Sequence, residues 1–180
     1  ALTVITKLRQ ITSGFMLLDG VPLRLVHAAP RLAALMDTLE SHPGPVIVWA
    51  SFREEIVQIA AALRAAGVTF REYYGDTKPA DRTAAINDFQ SGAARVFLGN
   101  PAAAGTGLTL TAAETAIYYS SSFSLNDRSQ SEDRCHRIGT THHVLYIDIV
   151  ARGTIDERIA SALQSKKLTA ELVMSGLAEV

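Results

Sequence analysis

The segment Gln130-Ser-Glu-Asp-Arg-Cys-His-Arg-Ile-Gly139 places a glutamine and two arginines at successive spacings of four and three. On a helix, Gln130, Arg134 and Arg137 share one face. Two guanidinium groups side by side repel each other, a cost that is offset when a polyanion lies opposite. Arginine suits that task because its planar fork binds phosphate oxygens in pairs and stays charged. The same spacing also fits an ordinary surface helix with an Asp133–Arg137 ion pair. A second segment, Gly99-Asn-Pro-Ala-Ala-Ala-Gly-Thr-Gly-Leu-Thr-Leu110, directly follows a predicted strand. Gly105 and Gly107 permit close backbone approach to a ligand, and Thr106 adds a hydroxyl. Such a loop can hold phosphate on backbone amides at a helix start; it can equally be a tight strand-to-helix connection. In a third segment, Gly75-Asp-Thr-Lys-Pro-Ala-Asp-Arg82, Thr77 and the amides after it fit a helix cap or a phosphate contact.

These residues need a scaffold, and the pattern around them alternates helix and strand. Leu2 to Leu18 reads as a helix followed by a loop, through Leu8, Ile11 and Phe15. Pro30 opens the next helix, with Leu32, Leu35, Met36 and Leu39 as its apolar stripe. Val46-Ile-Val-Trp-Ala50 has the continuous apolar character of a buried parallel strand. Further strands are predicted at Thr69–Tyr74, Arg95–Leu98, Thr115–Tyr119 and Val144–Val150. Helices are predicted through Ile56–Leu63, from Pro79 to Phe89, from Asn126 to Ile138 and from Thr154 onward, the last with a Thr154/Glu157 capping box. Such alternation implies an α/β fold, a parallel sheet with helices on both faces. Function in these sheets sits in loops at the carboxyl ends of strands. That directs attention to Ala50-Ser51-Phe52, Tyr74–Lys78, Gly99–Gly107 and Ser120–Asn126.

Composition narrows the choices. Lysine plus arginine number 17 against 18 aspartates and glutamates, so nucleic-acid contact requires a local patch rather than a global basic field. Scarce aromatics argue against a single-strand binder built on stacking platforms. Cys135, the one cysteine, excludes an internal disulfide and fits a reducing compartment. No apolar run reaches the length of a membrane span, and no signal-peptide pattern is seen. Cys135 and His136 with His142 and His143 do not form a recognised zinc spacing, so no metal site is assigned. Trp49 is read as core, Phe52 as core or base-stacking, and Lys166-Lys167 as a solvated face.

In this order on this fold, the segments resemble the C-terminal helicase lobe of superfamily 2 motors of the Swi/Snf type. Gln130 to Gly139 is similar to the family's Q-x-x-D-R-x-H-R-I-G motif VI. Val46–Phe52 resembles motif IV, Asn100–Leu110 motif V, and Gly75–Arg82 the family's glycine–threonine–arginine stretch. Leu8-Arg-Gln-Ile11 resembles the segment that enters this lobe, and Gly153–Arg158 with its helix resembles the C-terminal brace. The chain departs from the pattern at Ser120-Ser-Ser-Phe-Ser-Leu125, where a Trp-Asn-Pro run is usual, at Thr140 and at Ala104. The Ser-Glu-Asp-Arg run and the ending are closest to annealing-helicase-type and bacterial or phage relatives.

The resemblance implies a RecA-like three-layer domain over residues 1–180, with an entry segment at 1–29 and a brace helix at 154–180. It implies the second motor lobe of an ATP-dependent double-stranded-DNA translocase, a DNA-dependent ATPase. Arg134 and Arg137 would be arginine fingers. Gln130, Gly105 and Gly107 would face the nucleotide, and Ser51, Phe52, Thr77, Asn100 and Thr106 would hold the DNA backbone without reading sequence. ATP would arrive with Mg²⁺ held by the first lobe. None of the 12 glycines precedes a lysine, so no P-loop is present. The first lobe is therefore expected to be the missing partner and this lobe inactive alone. A cytoplasmic site is expected for a bacterial or phage protein, a nuclear one for a eukaryotic protein. The alternative is a catalytically silent DNA-binding or regulatory module; a Rossmann-type enzyme is disfavoured, since the Gly105–Gly107 loop lies mid-chain without a G-x-G-x-x-G fingerprint.

Overall fold

The computed structural model describes residues 2–25, 29–103, 108–135 and 143–178. Among them, β3 (Val46–Trp49), β4 (Phe70–Tyr73), β5 (Val96–Gly99), β6 (Thr115–Tyr118) and β7 (Leu145–Asp148) form one parallel sheet in the order β4-β5-β3-β6-β7. Helices α2 (Ala29–Ser41), α3 (Arg53–Ala65), α4 (Pro79–Gln90), α5 (Leu125–Cys135) and α6 (Ile155–Ala178) follow or separate these strands. The expected α/β architecture is what the chain adopts.

Strand alternation divides the core in two. Val46, Val48, Leu98 and Ile117 pack with Leu35, Leu39, Ile56, Ile59 and Leu63 from α2 and α3. Ile47, Trp49, Phe97 and Tyr118 point the other way, with Phe89 of α4 and Cys135 of α5. Burial of each large aliphatic side chain contributes about 1.5–3 kcal/mol, and β3 is fully enclosed along its length. Trp49 is thus core, as expected.

The entry segment differs from the expectation of one helix and a loop. Helix α1 (Leu2–Thr12) stops early, and Phe15–Leu18 (β1) pairs antiparallel with Val21–Arg24 (β2). Asp19 and Gly20 both take positive φ, 49° and 82°, at the turn. This is the Asp-Gly hairpin chemistry, which the helix-like spacing of Leu8, Ile11 and Phe15 obscured. Phe15 is buried, whereas Leu8 and Ile11 face outward.

Two other expectations change. Helix α5 begins one residue earlier, at Leu125, because Ser124 caps it, its Oγ accepting the Asp127 N–H at 3.2 Å; the expected end at Ile138 lies outside the described residues. The Thr154/Glu157 box is not formed. Thr154 Oγ1 accepts from the Asp156 N–H at 3.2 Å instead. The Asp156 carboxylate, rather than that of Glu157, is drawn into structure, accepting the Ala151 N–H at 3.1 Å and pairing with Arg31.

Candidate functional site

Register brings the site together. Trp49 lies opposite Gly99 on one side and Tyr118 on the other, so the residues just beyond these strands converge at the carboxyl edge of the sheet. Asn100 Nδ2 donates to the Ser51 carbonyl at 2.9 Å, and its Oδ1 accepts the Ala102 N–H at 2.9 Å. The Ser51 N–H donates to Ser120 Oγ at 2.9 Å, and Ser51 Oγ donates to the Ser120 carbonyl at 3.2 Å. Three loops are thereby tied into one surface.

Beneath it lies a fully buried carboxylate, Glu55, at the start of α3. It accepts from Ser120 Oγ at 2.7 Å, from the Phe52 N–H at 2.9 Å and from Ser13 Oγ. Two guanidiniums, Arg9 and Arg31, lie in its field. Burial lowers the pKa of each, and Glu55 partly restores it. Arg31 donates to the Tyr119 carbonyl at 3.0 Å and pairs with Asp156. Arg9 stacks on the Phe52 ring, 4.7 Å from its centroid, while Phe15 meets the same ring edge-on at 5.5 Å. Phe52 thus packs against Arg9 and Phe15 while remaining partly exposed. Sequence reasoning missed Glu55, Ser120 and Arg9 as site residues; Glu55 at the third helical position was the one readable signal.

Thr77 does not cap α4. Lys78 holds that position without a side-chain cap bond, because Thr77 Oγ1 already accepts the Tyr74 N–H at 3.0 Å. Arg82, also in the third motif, clamps the same turn through the carbonyls of Thr77 at 2.9 Å and Gly75 at 3.0 Å. Thr77 follows β4, beside β5 and two strands from β3, and its turn is tied to the start of α3 by the Arg53–Asp76 pair at 2.7 Å.

Helix α5 buries Ser131 and Cys135 and leaves Gln130 exposed, bonded to Asn126 Oδ1 at 3.1 Å. Arg134 follows one turn later, and its Nε is buried without a hydrogen-bond partner. The Arg134 carbonyl accepts the Leu110 N–H at 2.9 Å, joining the end of the second motif to the end of this helix. Arg128 fixes the helix's other end. It lies 3.6 Å from the Tyr118 ring centroid and pairs with Glu132 at 2.6 Å and Asp148 at 2.5 Å. Burial alone would lower its pKa, but Asp148, Tyr118 and Glu132 raise it. Lys167 reaches Glu132 at 3.2 Å and Lys166 the Phe123 carbonyl at 2.9 Å. These two lysines, expected to be merely solvated, tie α6 to α5 and to the loop before it. Burial pushes the Cys135 thiol up to about 12, which disfavours the thiolate that a metal requires. Gly105, Thr106, Gly107, Arg137, His136 and His142 lie outside the described residues.

This sheet, these loops and motif helix define a RecA-like second lobe, and the chain belongs to the helicase conserved C-terminal domain family, whose model matches residues 30–139. It is similar to the chromatin-remodeling ATPase INO80 of Sclerotinia sclerotiorum, 37% identical over 115 residues, covering 61% of this chain and 7% of that protein. The Saccharomyces cerevisiae protein of the same name is 36% identical, with 61% and 8% covered. The chain thus spans less than a tenth of these curated relatives. Two solved structures share the fold. The C-terminal part of the Fun30 ATPase domain has a TM-score of 0.68 and 24% identity, over 74% of this chain and 44% of that one. The Sulfolobus solfataricus SWI2/SNF2 ATPase C-terminal domain has 0.67 and 20%, over 92% and 68%. The Swi/Snf-type resemblance holds. The finer placement among annealing-helicase-like, bacterial or phage proteins gains no support from these relatives. No helix among the described residues is long and apolar enough to cross a membrane.

Proposed function

We propose that this chain is the second motor lobe of an ATP-dependent translocase acting on double-stranded DNA, one domain with an entry segment (1–29) and a brace helix (154–180). The observation that carries this reading is the face of α5. Gln130 is exposed, and one turn on Arg134 keeps a buried guanidinium nitrogen that nothing in the described chain satisfies. An unmet cationic donor beside an exposed amide fits the phosphate chain of a nucleotide held by another lobe. Arg134 and Arg137 would act as fingers that neutralise charge developing on the transferred phosphoryl group, with Gln130 and the Gly105–Gly107 loop facing the nucleotide. Mg²⁺ would be held by the first lobe; no group of three or more acidic, histidine or cysteine side chains fit to hold a metal lies among the described residues.

DNA would lie along the carboxyl edge, held by Ser51, Asn100, Thr77 and Thr106, with Phe52 supporting from beneath. Ser51 and Thr77 follow strands two apart in the sheet, roughly 10 Å, or about three phosphates of one strand at 3.4 Å of axis each. Contacts of this kind bind phosphate and carry no sequence information.

The test is DNA-stimulated ATP hydrolysis by the protein with both lobes. Arg137→Ala and Arg134→Ala should each lower the rate by roughly 10³–10⁵, and the second lobe alone should be silent. Undiminished hydrolysis in both variants would sink the assignment.

A further inference from the structure

A cavity of about 150 Å³ opens at the carboxyl edge, walled by Arg9, Ser51, Asn100, Ser122, Ser124 and neighbours from the same loops. Arg9 is its unexplained residue. Nε and Nη2 of its guanidinium are buried and have no hydrogen-bond partner. Glu55, in whose field Arg9 lies, makes no hydrogen bond to them; it accepts from Ser13, Ser120 and the Phe52 N–H. Orphaned donors of this kind are costly to bury, and a bound anion would reverse that cost. The same lining offers complementary groups. Ser122 Oγ accepts the Ser124 N–H at 3.2 Å and Ser124 Oγ accepts that of Asp127 at 3.2 Å, so each hydroxyl has its own proton to donate. The charged wall residues are Arg9, Arg128 and Asp127. Arg128 is held by Glu132 and Asp148, so Arg9 is the wall cation with guanidinium donors left unmet.

We propose that Arg9, stacked on Phe52 and lining one cavity with the Ser122 and Ser124 hydroxyls, forms a site for one backbone phosphate of DNA. This deepens the DNA-facing reading of the edge and rests on it. It assigns a role to the serines of this loop and to the packing of Arg9 over the Phe52 ring. The planar guanidinium, held over the ring at 4.7 Å, is pre-organised and loses little freedom on binding.

The experiment is fluorescence anisotropy of a labelled duplex with this 180-residue chain, across a salt series from low ionic strength, with NaCl replaced by sodium phosphate at matched ionic strength in a second series. Two variants are compared. Arg9→Gln removes the charge, and Ala102→Glu places a carboxylate at an exposed position of the wall, away from the Glu55 network. Both should weaken binding about 5–20-fold at low salt, and Arg9→Gln should reduce the slope of log affinity against log salt by about 1. Phosphate should displace duplex from the unaltered chain more strongly than chloride does, and this excess should vanish in Arg9→Gln. Duplex binding that neither variant changes overturns the Arg9 site and leaves the DNA reading standing; if Arg9→Gln fails to fold, unchanged binding by Ala102→Glu is enough to overturn it. No duplex binding by the unaltered chain at low salt overturns both.

Discussion

Glu55 shows how much one side chain decides here. It is a carboxylate with no exposure, and it is tolerated because three donors and two guanidinium fields converge on it. Its partners come from the entry segment, from its own helix start and from the loop after β6. Changing it to glutamine keeps the shape but removes the charge that Arg9 and Arg31 share, and offers an amide donor where only acceptors fit. Breaking a buried charge network by removing one member costs about 3–5 kcal/mol. Urea denaturation of Glu55→Gln should show a loss in that range at unchanged slope; a loss below about 1 kcal/mol, the size of one ordinary hydrogen bond, would mean that the carboxylate is not the hub of this edge. Such a carboxylate is invisible in composition, where it is one acid among 18.

At the scale of the element, β5 ends in a glycine for a steric reason. A Cβ on Gly99 would stand 2.8 Å from Trp49 Cζ3, 3.1 Å from Phe97 Cε1 and 3.2 Å from the Tyr73 carbonyl. The close approach lets β5 lie flush between β3 and β4, so that Asn100 emerges within reach of the Ser51 carbonyl. Gly99→Ala should therefore cost about 1–3 kcal/mol by overpacking, with Tm falling about 2–4 °C for each kcal/mol in a domain of this size. Calorimetry checks it, and an unshifted Tm would show that the Trp49 ring yields without cost. If the proposed DNA contact of Asn100 holds, the same change weakens duplex binding by moving that side chain.

In the whole molecule, Asp156 joins pieces that are far apart in sequence. Its carboxylate pairs with Arg31 of α2, accepts the Ala151 N–H at 3.1 Å and receives the Thr12 hydroxyl at 3.3 Å. Helices α1 and α6 are thereby fastened to α2 and the sheet, and with them the α6 lysines that reach α5. Asp156→Ala leaves the buried Arg31 charge without its partner, a change worth about 3–5 kcal/mol. Hydrogen exchange should then show faster exchange in α1 and the start of α6 than in β3 and β6. Uniform acceleration across the sheet would mean that these helices and the sheet unfold as one unit.

The order of strands and helices around the sheet was legible without coordinates, because apolar runs such as Val46–Trp49 and stripes such as Leu32–Leu39 repeat with the periods of buried strands and amphipathic helices. Motif positions could be read too: Ser51 and Asn100 fall just after strands, and Gln130 and Arg134 fall one helical turn apart. The Asp19-Gly20 hairpin was also written there, but a competing helical spacing hid it. What the chain alone could not reveal is which side chains meet. Ser13 and Ser120 reach Glu55 across 42 and 65 residues, and their meeting depends on strand order β4-β5-β3-β6-β7 and on register. Hydrophobic period reports which face of an element is buried, not which neighbour covers it. Only the folded chain, by setting β6 beside β3 and bringing α1 to the same edge, decided that Arg9 would lie beside a serine-lined cavity with two donors unmet.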